Sequence, residues 1–353
     1  MFTAKSPTAL DSNSNRFGAS TGFFFAEPDV AASLLLEKSV ETPNPKNPGA
    51  FHHIPVLAQE VFSALRPKSG ELFVDGTLGG GGHSEALLQA GAHVIGLDQD
   101  GTALKFATER LRSFGEAFHP VQANFRDVDQ VLDDLGIDKI DGLLLDIGVS
   151  SHQLDTAERG FSFQSNGPLD MRMNQSGPVT AADLVNTAHV EELIGIFRKY
   201  GEEPSAVRIA KHLVEVRRDE LFSTTAQLAS AVESILPRRG KKHPATQVFQ
   251  ALRIAVNDEL GALEAVLDIA PTRLKTGGRF AVITFHSLED RLVKQDFRHR
   301  SQVTIDRPEW PAAQPNPACV YHLLHRKSIT ASPAELTQNP RARSARLRAV
   351  EKL

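Results

Sequence analysis

The chain has 353 residues, 41% hydrophobic and 23% charged, which is enough for one full domain and an addition to it. Its single cysteine, Cys319, excludes a disulfide framework and a multi-cysteine zinc site, and it suits a reducing cytoplasm. A net charge of −4 offers no global field for nucleic acid, and no apolar run approaches the ~18 residues of a membrane span.

Residues 1–49 are rich in Ser, Asn and Pro and read as a disordered extension, interrupted only by Phe23 to Phe25 and Leu34 to Leu36. They lack a charged leader followed by a continuous apolar segment, which argues against a signal peptide. The ordered part begins at Phe51, and Val56, Val61, Phe62 and Leu65 form a helical stripe. His52 and His53 are sequence neighbours, which rarely point at one ion, and no Cys/His/Asp spacing supports a metal site, so none is expected.

The next stretch organises the chain. Leu72 to Val74 is a buried-type strand ending in Asp75, and Gly79 to Gly82 follow as four consecutive glycines. A helix over 85–90 is expected, with Ser84 as its N-cap and Gly91 as its stop. His93 to Leu97 is a second strand, ending in Asp98. Strand, glycine loop, helix, strand and acid make the opening βαβ unit of a nucleoside-binding sheet. The dinucleotide fingerprint G-x-G-x-x-G fails because Ser84 stands at its sixth position, and no G-K-[ST] follows. What remains is a ligand with a ribose for Asp98 and no pyrophosphate, a description that S-adenosylmethionine fits.

A helix over 101–113, a strand at Phe118 to Gln122, and Asn124 and Phe125 come next. An aromatic just past a strand end either stacks on a purine or joins the core. The fourth strand, Ile140 to Leu145, runs into Asp146 and a long polar stretch, 146–173, at the sheet edge where ligands bind. Residues 180–236 carry only helical periodicity and read as an insertion, closed by the basic loop PRRGKKHP at 237–244. A helix over 246–269, a turn at 275–278 and a strand over 279–285 resume the α/β pattern, with His286, Ser287, Glu289 and Asp290 at its end. The tail NPRARSARLRAV suits a last sheet strand or a phosphate contact.

HIPVL at 53–57, DGTLGGGGHS at 75–84, DIGVSSHQLD at 146–155, RGFSF at 159–163, GPLDMRM at 167–173, FHSLEDR at 285–291 and NPRARSARLR at 339–348 together resemble one family. It is the bacterial small-subunit ribosomal RNA methyltransferase H family, also called MraW. The resemblance runs from residue 52 to the end. It implies methyl transfer from S-adenosylmethionine to the N4 amine of a cytosine in 16S rRNA of the small ribosomal subunit, near the decoding centre. The implied fold is α/β, a Rossmann-like doubly wound sheet formed by 50–155 and 245–353, with a helical substrate-recognition insertion at 156–244.

By position, the resemblance places the cofactor on Gly81, Gly82, His83, Asp98, Phe125, Asp146 and Gln153. His152 departs from the usual proline and Ile147 from leucine. Thr77 stands where S-adenosylmethionine enzymes usually have glycine, and D-P-P-Y is absent. Asp146 either accepts the amine proton or holds the cofactor's amino group, with Ser150, His286 and Asp170 as further wall residues. Phe161, Phe163 and Arg172 are the platform candidates for a splayed base. Arg238, Arg239, Lys241 and Lys242, with Arg341 and Arg343 of the tail, are the phosphate candidates. Two rivals remain: a methyltransferase of DNA or protein, and a non-catalytic assembly factor that binds the cofactor. The sequence leaves a homodimer open.

Overall fold

The computed structural model describes residues 55–238 and 243–353. His52, His53, Arg239, Lys241 and Lys242 lie outside them.

Helix α1 (Ala58–Leu65) precedes strand β1 (Leu72–Asp75). Alternation then gives α2 (Gly82–Gln89), β2 (His93–Asp98), α3 (Gly101–Arg110), β3 (Phe118–Gln122), α4 (Val128–Asp134) and β4 (Ile140–Asp146). The helical segment comprises α5 (Ser151–Asp155), α6 (Ala181–Thr187), α7 (Val190–Lys199), α8 (Ala206–Val216), α9 (Thr225–Ile235) and α10 (Thr246–Asn257). Helix α11 (Glu259–Arg273), strand β5 (Leu274–Thr284) and helix α12 (Ser287–His299) return to the sheet. A two-stranded ribbon, β6 (Thr304–Ile305) and β7 (Gln314–Pro315), precedes β8 (Tyr321–Leu323), α13 (Pro333–Gln338) and β9 (Arg346–Lys352).

The main sheet has the order β3-β2-β1-β4-β5-β9-β8. Strands β1 to β5 are parallel, and β9 runs antiparallel between β5 and β8. The winding reverses between β1 and β4, which opens a crevice at their carboxyl ends. Because helices cover both faces, the inner strands read as unbroken apolar runs: Leu143, Leu144 and Leu145 are all buried. Val61, Leu87 and Ala107 pack on one face with Ala342 and Leu347 of the tail. On the other face Val131, Leu263, Val266 and Val293 meet Val74 and Leu143.

The expected helix over 246–269 is two helices. Asp258 breaks it in the left-handed region (φ 46°), and the chain changes core there. Val248, Phe249 and Leu252 of α10 pack with Leu193, Ile209 and Leu228 in the helical cluster. A straight helix could not turn both apolar faces to these two partners.

Candidate active site

Acids close three strands along one sheet edge: Asp75 on β1, Asp98 on β2 and Asp146 on β4. The loop after β1 is fastened to all of them. Gly76 N–H donates to Leu144 O at 2.9 Å, Asp146 N–H donates to Thr77 Oγ1 at 2.6 Å, and Gly79 N–H donates to Asp98 Oδ2 at 2.8 Å. Gly79 (φ 49°) and Gly81 (φ 76°) take left-handed conformations that cost a residue without Cβ little. The expected N-cap is corrected here. Gly81 caps α2, which starts at Gly82, and Ser84 lies inside the helix, where its hydroxyl donates to Asp75 Oδ2 at 2.7 Å. Ser84 therefore ties helix to strand.

Burial pushes the Asp98 carboxyl up to about 6, against the lowering effect of N–H groups from Asp100 and Gly79. Burial also raises Asp75, opposed by neighbouring His83 and reinforced by Asp146. His83 Nε2 stands 3.6 Å from Asp146 Oδ2, too far for a hydrogen bond. His83 Nε2 and Asp146 Oδ1 are buried and have no hydrogen-bond partner among the described residues. Unsatisfied groups of this kind are costly, and a donor-bearing ligand in the crevice would relieve them.

A second polar knot closes the crevice. The Asp100 carboxylate accepts from Arg159 Nη1 at 2.5 Å and from Gln153 Nε2 at 3.0 Å. Arg159 Nη2 also donates to the carbonyls of Arg172 and Met173, at 2.9 Å each. The polar stretch 146–173 is thereby pinned against the end of β2.

A family model for MraW methylases matches residues 50–353. Ribosomal RNA small subunit methyltransferase H from Anaeromyxobacter dehalogenans is 54% identical over 306 residues, covering 86% of this chain and 98% of that protein. The protein of the same name from Geobacter sulfurreducens is 50% identical over 309 residues, covering 86% and 99%. The chain belongs to the MraW methylase family.

Of the expected cofactor residues of this methylase, Gly82, His83, Asp98, Phe125, Asp146 and Gln153 all line the crevice. Gly81 sits behind it, where an added Cβ would meet Leu111 Cδ1 at 3.1 Å. Gln153 is on the wall, but its amide is committed to Asp100 and to the N–H of Ser150, as part of the α5 capping box. The methyl donor of a methylase with this fold is S-adenosylmethionine, and the residues fit it. Asp98 keeps lone pairs for a ribose diol, Phe125 offers a ring, and Asp146 Oδ1 awaits a donor.

The base platform is a correction. Phe161 is buried in the helical core, and Arg172 binds Asp170 through Nε and Nη2 and Gly177 O through Nη1. Phe163 packs against His243 and Phe249. None of the three presents a free face to the crevice. Arg341 lies on its rim, 2.6 Å from Asp155, and Arg343 is exposed nearby. Arg238 is exposed and pairs with Glu233 at 2.6 Å.

Sequence reasoning missed Thr77, Asp100 and Arg159 as site-building residues. The local signals were that Thr77 and Arg159 stand inside quoted motifs, DGTLGGGGHS and RGFSF, and that Asp100 stands two residues past Asp98.

Losing the Asp98 carboxylate should leave the ribose hydroxyls unpaired. Asp98→Ala is expected to weaken S-adenosylmethionine binding by about 2 kcal/mol or more, read by calorimetry. Wild-type affinity should also decline as pH falls through about 6, where Asp98 takes up a proton in the free protein. The sign for folding is the reverse: Asp98's contribution to stability is full below the ordinary carboxylate value and is lost as pH rises through about 6. An affinity flat between pH 5 and 8 would remove Asp98 from the cofactor site.

Proposed function

We propose that this chain transfers the methyl group of S-adenosylmethionine to the N4 amine of a cytosine in 16S rRNA of the small ribosomal subunit, near the decoding centre. The observation that carries the reading is the orphaned Asp146 Oδ1 at the crevice between β1 and β4, in a chain 54% identical to a small-subunit rRNA methyltransferase. A cytosine N4 amine is a donor of the kind that oxygen lacks.

When bound, S-adenosylmethionine supplies an electrophilic methyl group. The protein's task is to hold a weakly nucleophilic amine in line with it and to keep water out. Asp146 accepts a hydrogen from the amine and takes the proton released on substitution. The wall from Asp146 to Met173, knotted by Arg159, shields the crevice. The helical insertion, 156–244, serves as the substrate-recognition region, and Arg341 at the rim meets RNA phosphate.

Incubating the protein with labelled S-adenosylmethionine and unmodified small subunits, then digesting the RNA to nucleosides, tests this. N4-methylated cytidine is the expected product. Cofactor binding without transfer would leave the assembly-factor reading, and label in DNA or protein would move the substrate class.

An acidic chain must meet RNA through local cations. Replacing Arg238, Arg239, Lys241 and Lys242 together by alanine should weaken subunit binding and flatten its log–log salt dependence, by close to one unit per lost phosphate contact. Affinity for S-adenosylmethionine should not change. An unaltered salt slope would make this loop a solvated turn and shift the contacts to the tail arginines.

A further inference from the structure

We propose that Glu259, His286 and Glu289 form a binding site for one divalent transition-metal ion, of the zinc or manganese class. Glu259 opens α11, His286 precedes α12, and Glu289 lies in the first turn of α12. One ligand atom of each lies within 4.8 Å of the others. His286 Nε2 and Glu289 Oε1 are 2.9 Å apart. Ligands ~2.1 Å from an ion stand about 3 Å apart at right angles and about 3.4 Å apart in a tetrahedron, so this pair has the spacing of an octahedral manganese-class ion and would open by about half an ångström for tetrahedral zinc.

The atoms facing the cluster lack other partners. Glu289 is fully buried. Its Oε2 accepts the N–H groups of Phe285 at 2.9 Å and His286 at 3.2 Å. Apart from their contact with each other, its Oε1 and His286 Nε2 have no hydrogen-bond partner among the described residues. Charge points the same way. Arg253 binds both Glu259 oxygens at 2.8 Å, and its charge also acts on Glu289, so two buried carboxylates share one fixed cation. A buried carboxylate needs one. The rivals are a metal ion and a protonated His286. A mixed imidazole and carboxylate set suits zinc or manganese. Arg253 and the two helix N-termini oppose a cation, so binding should be weaker than at a structural zinc site. Glu259 also lines the cofactor crevice, so the ion would stiffen that wall without taking part in methyl transfer. The spacing of the three residues along the chain gave no local metal signature, which is why none was expected.

The test uses the untagged full chain, stripped with a chelator and titrated calorimetrically with zinc and, separately, with manganese. One equivalent should bind in at least one titration, and His286→Gln and Glu289→Gln should each weaken it tenfold or more. The ion should also raise the thermal midpoint of the wild type but not that of His286→Gln. If Glu289→Gln fails to fold because a helix cap is lost, His286→Gln decides alone. Absence of saturable binding, binding unchanged in His286→Gln, or an NMR signature of protonated His286 in the metal-treated protein would overturn the proposal.

Discussion

Asp146→Asn is expected to lower single-turnover methyl transfer roughly a hundredfold or more, with a modest change in cofactor affinity. Asparagine keeps the shape and the backbone N–H bond to Thr77 Oγ1. It cannot take up a proton, and it has one acceptor oxygen where the carboxylate has two, the unpartnered Oδ1 among them. Single-turnover rates at saturating S-adenosylmethionine separate two roles. If Asp146 only holds the cofactor's amino group, affinity falls and the saturated rate recovers. Full recovery at saturation would falsify the proton-acceptor role. His83, 3.6 Å from Asp146, provides a control. His83→Gln should perturb the same rate less, because the acceptor oxygen remains.

The sheet was legible because its physics is local. Strands buried on both faces must be apolar throughout, and the acids at their ends mark the crevice edge of the sheet. Phe118–Gln122 and the β4 run are where periodicity put them. The run of helices from Ala181 to Ile235 announced itself by a change of period. Four features were not legible, each for a physical reason. Ser84 has the chemistry of a cap, but Asp75 captures its hydroxyl from another element. Asp258 carries no Gly or Pro signal, yet the change of core forces a left-handed residue there. Phe161 and Arg172 have platform chemistry, and only tertiary packing shows that the core and Asp170 already use them. In the crevice, the residues lining it were readable by motif. The knot that holds them was not, because Asp100 and Arg159 are distant in sequence.

That knot sets the largest stability effect. Arg159 and Asp100 are 5% and 2% exposed, so their pairing is little screened by solvent. Arg159→Met keeps much of the apolar stem and removes the charge. Asp100 would retain Gln153 and the Thr102 N–H, and the carbonyls of Arg172 and Met173 would lose their donor. Breaking a buried pair from one side typically costs about 3–5 kcal/mol, and urea unfolding at neutral pH should show a loss of that order. Burial raises the Asp100 carboxyl, but hydrogen bonds from Arg159 and Gln153 outweigh it and hold the group below its ordinary value. The contribution is therefore present above the ordinary carboxylate value and is lost as pH falls through the depressed one. Without Arg159, the acid-side loss should begin at higher pH. Adding Asp100→Asn removes the stranded charge and should recover part of the stability, which a simple packing defect would not allow. Since the same knot holds 146–173 against β2, the single variant should also bind S-adenosylmethionine more weakly. A loss below about 1 kcal/mol, the scale of an exposed pair, would show that solvent reaches this site.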